Sequence, residues 1–133
     1  MSHFTISKAV ISKDGKFLLL KRAAHSKTFP NTWDFAGGKG EPGKSPEEAV
    51  VRETKEETSL NVTITNLLAS LTYEEDKYHA NFHYFIPQSI SGILKISNDH
   101  SDFCWVSLDE IKSLPLHPSV KIFLEKKLFS NPI

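Results

Sequence analysis

The stretch GGKGEPGKSPEEAVVRETKEETSL, residues 37–60, joins a glycine pair and a turn to a highly charged segment. Ser45 is typical of a helix N-cap, Pro46 is typical of the first helical position, and Glu48 completes a capping box. Ser59 lies where the helical pattern stops, at a position that prefers glycine. We therefore predict a helix that begins after Ser45 and ends near Ser59.

The predicted helix carries glutamates that are three and four residues apart. Glu53, Glu56 and Glu57 share one face, because positions at this spacing are neighbours on a helix. Each like-charge neighbour costs an exposed helix about 0.2–0.5 kcal/mol. One interpretation is a solvated face balanced by Arg52 and Lys55. The other is a bound cation that offsets the repulsion, and the preceding residues favour it.

The residues before the helix indicate a ligand site. Gly37 and Gly38 lack side chains, so the backbone can approach a ligand there, and residues 40–43, GEPG, form a tight turn. Clustered carboxylates without cysteines favour a hard cation such as Mg²⁺, which binds carboxylates together with water and substrate phosphate oxygens. Such a cation polarises a phosphoryl group and lowers the pKa of a bound water. The predicted chemistry is therefore hydrolysis of a phosphate ester.

This stretch resembles the box of the Nudix hydrolases, which runs Gly, five residues, Glu, seven residues, Arg-Glu, an aliphatic residue, any residue, Glu-Glu, any residue, Gly, an aliphatic residue. The residues that match it at the correct spacing are Gly38, Arg52, Glu53, Glu56, Glu57 and Leu60. The resemblance extends to FLLLKR, WDFAGGK and DFCWVSLDEI, and so to nearly the whole chain. It implies an α/β fold, a Nudix-type α/β/α sandwich with a mixed β-sheet.

The resemblance also implies a reaction and the residues that carry it. The expected enzyme is a pyrophosphohydrolase in which water attacks phosphorus of a nucleoside diphosphate linked to another group. Nucleoside triphosphates are the favoured substrate, and Mg²⁺, or Mn²⁺ in its place, is the cofactor. The implied metal ligands are Glu53, Glu56, Glu57 and a backbone carbonyl of Gly37 or Gly38. Glu53 would orient or deprotonate the water, and Arg52 would hold the carboxylates through charge-assisted hydrogen bonds.

Three positions depart from the box. Lys44 replaces its first glutamate, Thr54 replaces an aliphatic residue, and Ser59 replaces its last glycine. We expect Ser59 to cost some stability and the Thr54 hydroxyl to bond back to the helix backbone. Lys44 removes the expected partner of Arg52 and leaves two outcomes open. Either the site works with fewer ligands, or metal binding is lost and the chain is a weak or inactive nucleotide-binding or regulatory module.

Further candidate residues lie outside the box. Asp99 is the preferred additional acid for catalysis and Asp102 the alternative, since both also suit turn chemistry. Arg22 ends a strand and suits either a substrate phosphate or a surface ion pair. His79 and His83 lie on a predicted strand, where their spacing does not favour metal ligation. The aromatic residues expected either to stack on a base or to fill the core are Trp33, Phe35, Phe82 and Tyr84, with Phe35 assigned to the substrate site.

The composition narrows the class of partner. Lys plus Arg and Asp plus Glu number 16 each, so no net field attracts a nucleic acid polymer or an anionic membrane. This balance favours a small nucleotide and weakens a third hypothesis, an RNA-cap-directed or isomerase-like relative. At 133 residues, the chain is expected to form one domain, residues 1–133. The single Cys104 and an N-terminus without a signal pattern predict a cytoplasmic protein, and the oligomeric state stays open.

Patterns along the chain predict both strands and helices. β-branched and aromatic runs predict strands, and the pair Asp14 and Gly15 predicts a hairpin turn between the first two. Ser107 and Glu110 repeat the capping box, and Pro118 lies near the start of a closing amphipathic helix. The order of strands, helix, strands, helix is typical of a mixed sheet between helices. The predicted strands are residues 4–11, 16–21, 61–73, 79–86 and 92–97.

Overall fold

The structure is a computed structural model that describes residues 2–130. Within those residues, no helix is long and apolar enough to cross a membrane. The strands are β1 Ser2–Ala9, β2 Ser12–Lys13, β3 Lys16–Arg22, β4 Trp33–Asp34, β5 Ala36–Lys39, β6 Asn61–Glu75, β7 Tyr78–Ser91 and β8 His100–Val106. The helices are α1 Pro46–Thr58, α2 Leu108–Ile111 and α3 Pro118–Glu125, followed by a short 3₁₀ helix at Leu128–Ser130.

Across residues 2–130, the strands form two four-stranded sheets. The first has the order β5-β1-β7-β6, and it is mixed because β1 runs parallel to β7 and antiparallel to β5. In the second sheet, β3 pairs antiparallel with β2, β4 and β8. The predicted mixed sheet is therefore confirmed, and an antiparallel sheet accompanies it.

Side chains of β3 alternate between two hydrophobic clusters, as the period of two along a strand requires. Phe17 and Leu19 lie in one cluster together with Phe123 of α3. Leu18 and Leu20 lie in the other cluster, together with Val50 of α1. The sheet layer thus has α1 on one side and α3 on the other, which confirms the predicted α/β/α sandwich.

Helix α1 begins and ends where the sequence predicts. The Ser45 side chain accepts the N–H of Glu48 at 3.1 Å, and the Glu48 carboxylate accepts the N–H of Ser45 at 3.2 Å. Ser59 follows the helix with φ of 65°, the left-handed conformation that favours glycine. The expected bond of the Thr54 hydroxyl to the backbone is wrong, because this oxygen is buried without a partner. The Thr58 hydroxyl instead donates to the Thr54 carbonyl at 2.6 Å.

The predicted strand at residues 92–97 is wrong. This segment is not part of a sheet, and its N–H groups donate hydrogen bonds to carbonyls at the end of α1. Lys95 N–H donates to the Thr58 carbonyl at 2.9 Å, and Ser97 N–H donates to the Glu57 carbonyl at 3.0 Å. The last carbonyls of a helix have no partner within the helix, so these bonds satisfy them. The alternating apolar residues of GILKIS resemble a strand, but the segment caps a helix.

The hairpin turn between β2 and β3 is confirmed. Asp14 and Gly15 both have positive φ, 53° and 77°, as a type I′ turn requires. Lys13 and Lys16 pair on either side of it. The chain before the turn is divided, however, because β1 ends at Ala9 and the two-residue β2 begins only at Ser12.

Gly37 allows β5 to pair closely with β1. Its φ is 136°, and a Cβ atom at this position would lie 2.0 Å from the Ser7 carbonyl oxygen. Gly40 in the following loop has open space around the equivalent position. A side chain at position 37 would therefore push β5 away from β1, whereas one at position 40 would not.

We expect Gly37→Ala to destabilise the protein by about 3 kcal/mol or more, because the added carbon collides with backbone that cannot move aside. The matched control Gly40→Ala should change the free energy of unfolding by less than about 0.5 kcal/mol. Urea denaturation of both variants measures the difference. Equal stabilities would contradict the account of β5 pairing.

Candidate functional site

Glu53 and Glu57 of α1 face a cavity of about 170 Å³. Gly37 and Gly38 of β5 line the same cavity. The structure therefore brings together two of the three predicted acids and both predicted glycines. The other lining residues are Phe4, Ile6, Lys8, Arg22, Thr28, Lys39, Tyr78 and His117.

Glu57 is held against the backbone of β5. The N–H of Gly37 donates to its Oε1 atom at 2.8 Å. Burial raises the pKa of the Glu57 carboxyl to about 8, and Lys8 and the Gly37 N–H only partly oppose this rise. The negative charges of Asp34 and Glu53 add to it. A carboxylate at this position is therefore costly to ionise unless more positive charge is supplied.

Glu53 lies directly over Gly38. A Cβ atom on Gly38 would lie 2.8 Å from the Glu53 carboxyl carbon, so a side chain there would displace the Glu53 carboxylate. Arg52 Nη2 lies 3.0 Å from Glu53 Oε1. Burial raises the pKa of Glu53, Arg52 opposes that rise, and the charge of Glu56 adds to it. The predicted glycine pair thus lies close to the acids of α1. The missing side chain at position 38 leaves room for Glu53 itself.

Glu56 does not line this cavity. Its side chain is 56% exposed, and its Oε1 atom accepts a hydrogen bond from Arg52 Nη1 at 2.9 Å. Within residues 2–130, no group of three or more histidine, cysteine, aspartate or glutamate side chains is arranged to hold a metal ion. The expected convergence of three carboxylates is therefore not present, because Arg52 draws Glu56 to the rim.

A buried polar cluster lies beneath the cavity, centred on Asp34. Lys8 Nζ donates to Asp34 Oδ2 at 2.9 Å, with side-chain exposures of 4% and 1%. Arg22 Nη1 donates to the same oxygen at 3.4 Å, and the Ser119 hydroxyl donates to Oδ1 at 2.6 Å. Ser119 N–H also donates to His117 Nδ1 at 3.0 Å. Each charged or polar member thus has a partner, as burial requires.

Asp34 is ionised and His117 is neutral in this cluster. Burial by itself would raise the pKa of Asp34, and a protonated His117 would oppose this most strongly; with the ring neutral, Lys8, the Ser119 hydroxyl and Arg22 still hold that pKa below its usual range. Burial lowers the pKa of His117 to about 3. Its Nδ1 atom accepts a hydrogen bond, which also favours the neutral ring. Lys8 is therefore the main ionic partner of Asp34.

Asp99 lies in a second cavity, of about 370 Å³, on the other side of Glu57. Arg22 and His100 line it too. The structure thus places Asp99, the predicted additional acid, beside the cavity that Glu53 and Glu57 line. Asp102 does not line either cavity, and its carboxylate accepts the N–H of the next residue at 2.8 Å.

Arg22 faces both cavities, but the loop that follows β3 uses much of its guanidinium. Nη2 donates to the Ser26 hydroxyl at 2.9 Å, and Nε donates to the Thr28 carbonyl at 3.1 Å. With its bond to Asp34, Arg22 holds this loop beside the site. Arg22 does form an ion pair, but with the buried Asp34 carboxylate at 3.4 Å rather than with a surface acid, and its contact with a substrate phosphate stays a prediction.

The assignment of Phe35 to the substrate site is wrong. Phe35 is 1% exposed and packs edge-on against Tyr84 and Phe123 in the core. Phe82 and Tyr84 are fully buried as well, and half-buried Trp33 packs against the same cluster. These rings fill the core because they point inward from the strands. Phe35, Phe82 and Tyr84 therefore leave no face on which a base could stack.

The aromatic rings that do line the cavity are Phe4 and Tyr78. Lys39 Nζ lies 3.9 Å from the centre of the Phe4 ring. This cation–π contact holds the Lys39 ammonium at the edge of the cavity. Sequence reasoning missed these residues, and it also missed Lys8 and His117. The one available signal was Lys8 itself, a charged residue directly before the apolar residues 9–11.

His79 and His83 lie on strand β7, as predicted. His83 Nδ1 is 2.7 Å from the Ser70 hydroxyl, and His79 Nδ1 is 3.6 Å from Glu74 Oε1. Both rings have ordinary polar neighbours on β6. Neither histidine lines the cavity of Glu53 and Glu57.

A sandwich in which an acid-faced helix crosses a glycine pair at the edge of a mixed sheet defines the Nudix class of domain. A family model described as "NUDIX domain" matches residues 1–126. The chain belongs to the Nudix family.

Relatives and solved structures agree with this assignment. The chain is 34% identical to the CTP pyrophosphohydrolase of Escherichia coli strain K12, over 90% of this chain and 87% of that protein. It is 30% identical to the nucleoside triphosphatase NudI of Klebsiella pneumoniae, over 96% and 98%. The solution structure of the E. coli ORF135 protein matches with 33% identity and a TM-score of 0.79, covering 96% of this chain and 90% of that one. The MutT protein of Methanosarcina mazei matches with 28% identity and a TM-score of 0.83, over 93% and 91%.

We expect Lys8→Met to destabilise the protein by about 3 kcal/mol, because it leaves the buried Asp34 carboxylate without its main ionic partner. The control Lys13→Met removes an exposed lysine and should change little. The double variant Lys8→Met with Asp34→Asn should recover part of the loss, since no unpaired charge remains. Urea denaturation would contradict this if both single variants proved equally stable.

Proposed function

We propose that this protein is a metal-dependent pyrophosphohydrolase that cleaves nucleoside triphosphates by attack of water on phosphorus. Nudix proteins generally depend on a divalent metal. The observation that carries the proposal is the position of Glu53 and Glu57, whose carboxylates face one cavity beside Gly37 and Gly38. Basic residues, Lys39 and Arg22 among them, line the same cavity, so it presents both an acid site and phosphate-binding groups.

The residues present fit Mg²⁺ or Mn²⁺. Glu53 and Glu57 supply hard oxygen donors, and burial raises the pKa of both; the charge of Glu56 adds to the rise at Glu53, and the charges of Asp34 and Glu53 add to it at Glu57. Mg²⁺ usually binds through one or two protein carboxylates plus substrate phosphates, so a cluster of three acids is not required. Glu53, Glu57 and a carbonyl of the glycine pair would hold the cation, and Glu56 stays a predicted ligand. The cation would neutralise phosphate charge and lower the pKa of the attacking water.

The chain's own residues would orient the reactants. Lys39 and Arg22 would donate hydrogen bonds to phosphate oxygens, for which a guanidinium is well shaped. Glu53 would accept the proton of the attacking water, and burial makes it a stronger base than an exposed glutamate by raising its pKa. Arg52 would keep Glu53 in place from outside the cavity. Asp99, beside Glu57 in the adjoining cavity, is the second candidate for the base.

The favoured substrate is a nucleoside triphosphate, with CTP as the first to test. This choice rests on the CTP pyrophosphohydrolase and nucleoside triphosphatase among the relatives. Tyr78 and Phe4 offer ring faces at the cavity against which a base could pack. The equal number of acidic and basic residues supports a small nucleotide over a nucleic acid polymer.

We expect Mg²⁺-dependent release of pyrophosphate from at least one nucleoside triphosphate, and no release in chelator. A panel of the triphosphates, ADP-ribose, dinucleoside polyphosphates and nucleotide sugars tests this. Glu57→Gln should lower kcat/KM by about a hundredfold or more, a loss of about 2.7 kcal/mol of transition-state stabilisation. The exposed Glu47→Gln on the same helix is the control and should stay within about twofold. Hydrolysis of no compound in the panel would favour the nucleotide-binding module instead.

We also expect the affinity for the metal to increase with pH. Glu57 must lose its proton before it can bind a cation, and its pKa is near 8. The carboxyl is mostly protonated at about pH 6.5 and mostly ionised at about pH 8.5, so the apparent affinity for Mn²⁺ should rise by roughly tenfold or more between them. Titration of the wild-type protein followed by electron paramagnetic resonance measures this. Glu57→Gln should bind weakly at both pH values, and a pH-independent wild-type affinity would contradict the prediction.

A further inference from the structure

Position 44 is where this chain departs most from the box of its family. The box has a glutamate there, and this chain has Lys44, whose side chain is exposed. Arg52, which the box retains, therefore lacks the acid that the pattern would place near it. Arg52 nevertheless has a third acidic neighbour besides Glu53 and Glu56. Its Nη2 atom lies 3.3 Å from Glu41 Oε1.

A tight turn holds Glu41 in this place. Lys44 N–H donates to the Glu41 carbonyl at 3.1 Å, which closes a four-residue turn. Pro42 occupies its second position, and Gly43, with φ of 81°, occupies its third. Proline followed by a residue of positive φ is the signature of a type II turn. Because both central residues suit this turn, Glu41 is presented to α1 by a restrained backbone.

The turn also keeps the charge of Lys44 among acids. Lys44, Glu41, Glu48 and Arg52 line a small cavity of about 180 Å³. Hydrogen bonds with Ser45 lower the pKa of Glu48, and the nearby charge of Lys44 makes a smaller contribution in the same direction. Glu41 shares this cavity with Lys44 and Arg52, so its negative charge partly offsets the positive charge that the substitution introduces.

Arg52 connects Glu41 to the cavity that we propose as the active site. The Nη2 atom that approaches Glu41 also lies 3.0 Å from Glu53 Oε1, and Nη1 binds Glu56. Glu41 does not itself line the cavity of Glu53 and Glu57. It can therefore influence that cavity only by holding the guanidinium in the orientation that both helix acids use.

We infer that Glu41 is a positioning residue that replaces the glutamate missing at position 44 and orients Arg52 toward Glu53 and Glu56. The ion pair is partly exposed, with side-chain exposures of 39% for Arg52 and 55% for Glu41, so its effect is modest. We expect Glu41→Gln to lower both kcat and the affinity for Mn²⁺ by about three- to tenfold, with little change in KM.

The experiment compares four proteins: wild type, Glu41→Gln, the double variant Glu41→Gln with Lys44→Glu, and Glu47→Gln. Glu47→Gln removes the same charge from an exposed site on the first turn of α1 and serves as the matched control. The readouts are kcat and KM, the Mn²⁺ affinity, and the ¹⁵N relaxation of the Arg52 Nε–H group in the metal-free protein. Glu41→Gln should lower the order parameter of that group and Glu47→Gln should not. Lys44→Glu should restore the order parameter, kcat and affinity, because it returns an acid to the cavity shared with Arg52.

The inference rests on the proposed function for its kinetic effect, and the relaxation measurement separates the two. A wild-type protein that hydrolyses no nucleotide would overturn the proposed function, and the Arg52 order parameters would still decide the role of Glu41. An active wild type in which Glu41→Gln matches Glu47→Gln in Arg52 order and metal affinity would overturn the inference alone. Failure of Lys44→Glu to restore the Glu41→Gln protein would also overturn it.

Discussion

The rest of the site depends on the contact of Gly37 with its neighbours on both sides. Its carbon atoms lie so close to the Ser7 carbonyl that no side chain fits, so β5 can pair tightly with β1. Its N–H group then donates to Glu57 and holds that carboxylate at 2.8 Å from the strand. One residue further, Gly38 leaves the room that Glu53 occupies. The two glycines of this short strand therefore determine where both cavity acids lie relative to the sheet.

Cations from separate parts of the chain balance the acids of α1. Arg52 lies outside the cavity and contacts Glu53 and Glu56, while Lys8 lies beneath it and pairs with Asp34. Burial nevertheless raises the pKa of Glu53 and Glu57, so the resident cations do not fully compensate the two carboxylates. A site in this state gains from any further positive charge, because the charged carboxylates are disfavoured by desolvation and by each other. The same electrostatics that make the helix face costly make it suited to a metal and a phosphate.

Sequence reasoning succeeded where the signal was local or where a long pattern matched. The capping box and proline predicted the start of α1, and the Asp14-Gly15 pair predicted the first hairpin, because these depend on a few adjacent residues. It failed for residues 92–97, whose alternation resembles a strand but whose N–H groups bond to the end of α1. It also failed for Phe35, because an aromatic residue next to the glycine pair has the same sequence pattern whether it faces the core or a ligand. Burial depends on the other elements that cover a residue, and these lie far away in the chain.

The sequence by itself determined the helix, the register of its acids and membership of the Nudix class, because helical periodicity and the spacing of the box are properties of consecutive residues. Only the tertiary structure decided which acids face the cavity. Glu53 and Glu57 do, whereas Glu56 is drawn to the rim by Arg52. It also decided that Lys8 pairs with Asp34, 26 residues away, and that the turn at Glu41 supplies an acid to Arg52 in place of Lys44. These pairings depend on how β1, β5 and α1 pack together, and no spacing along the chain encodes them.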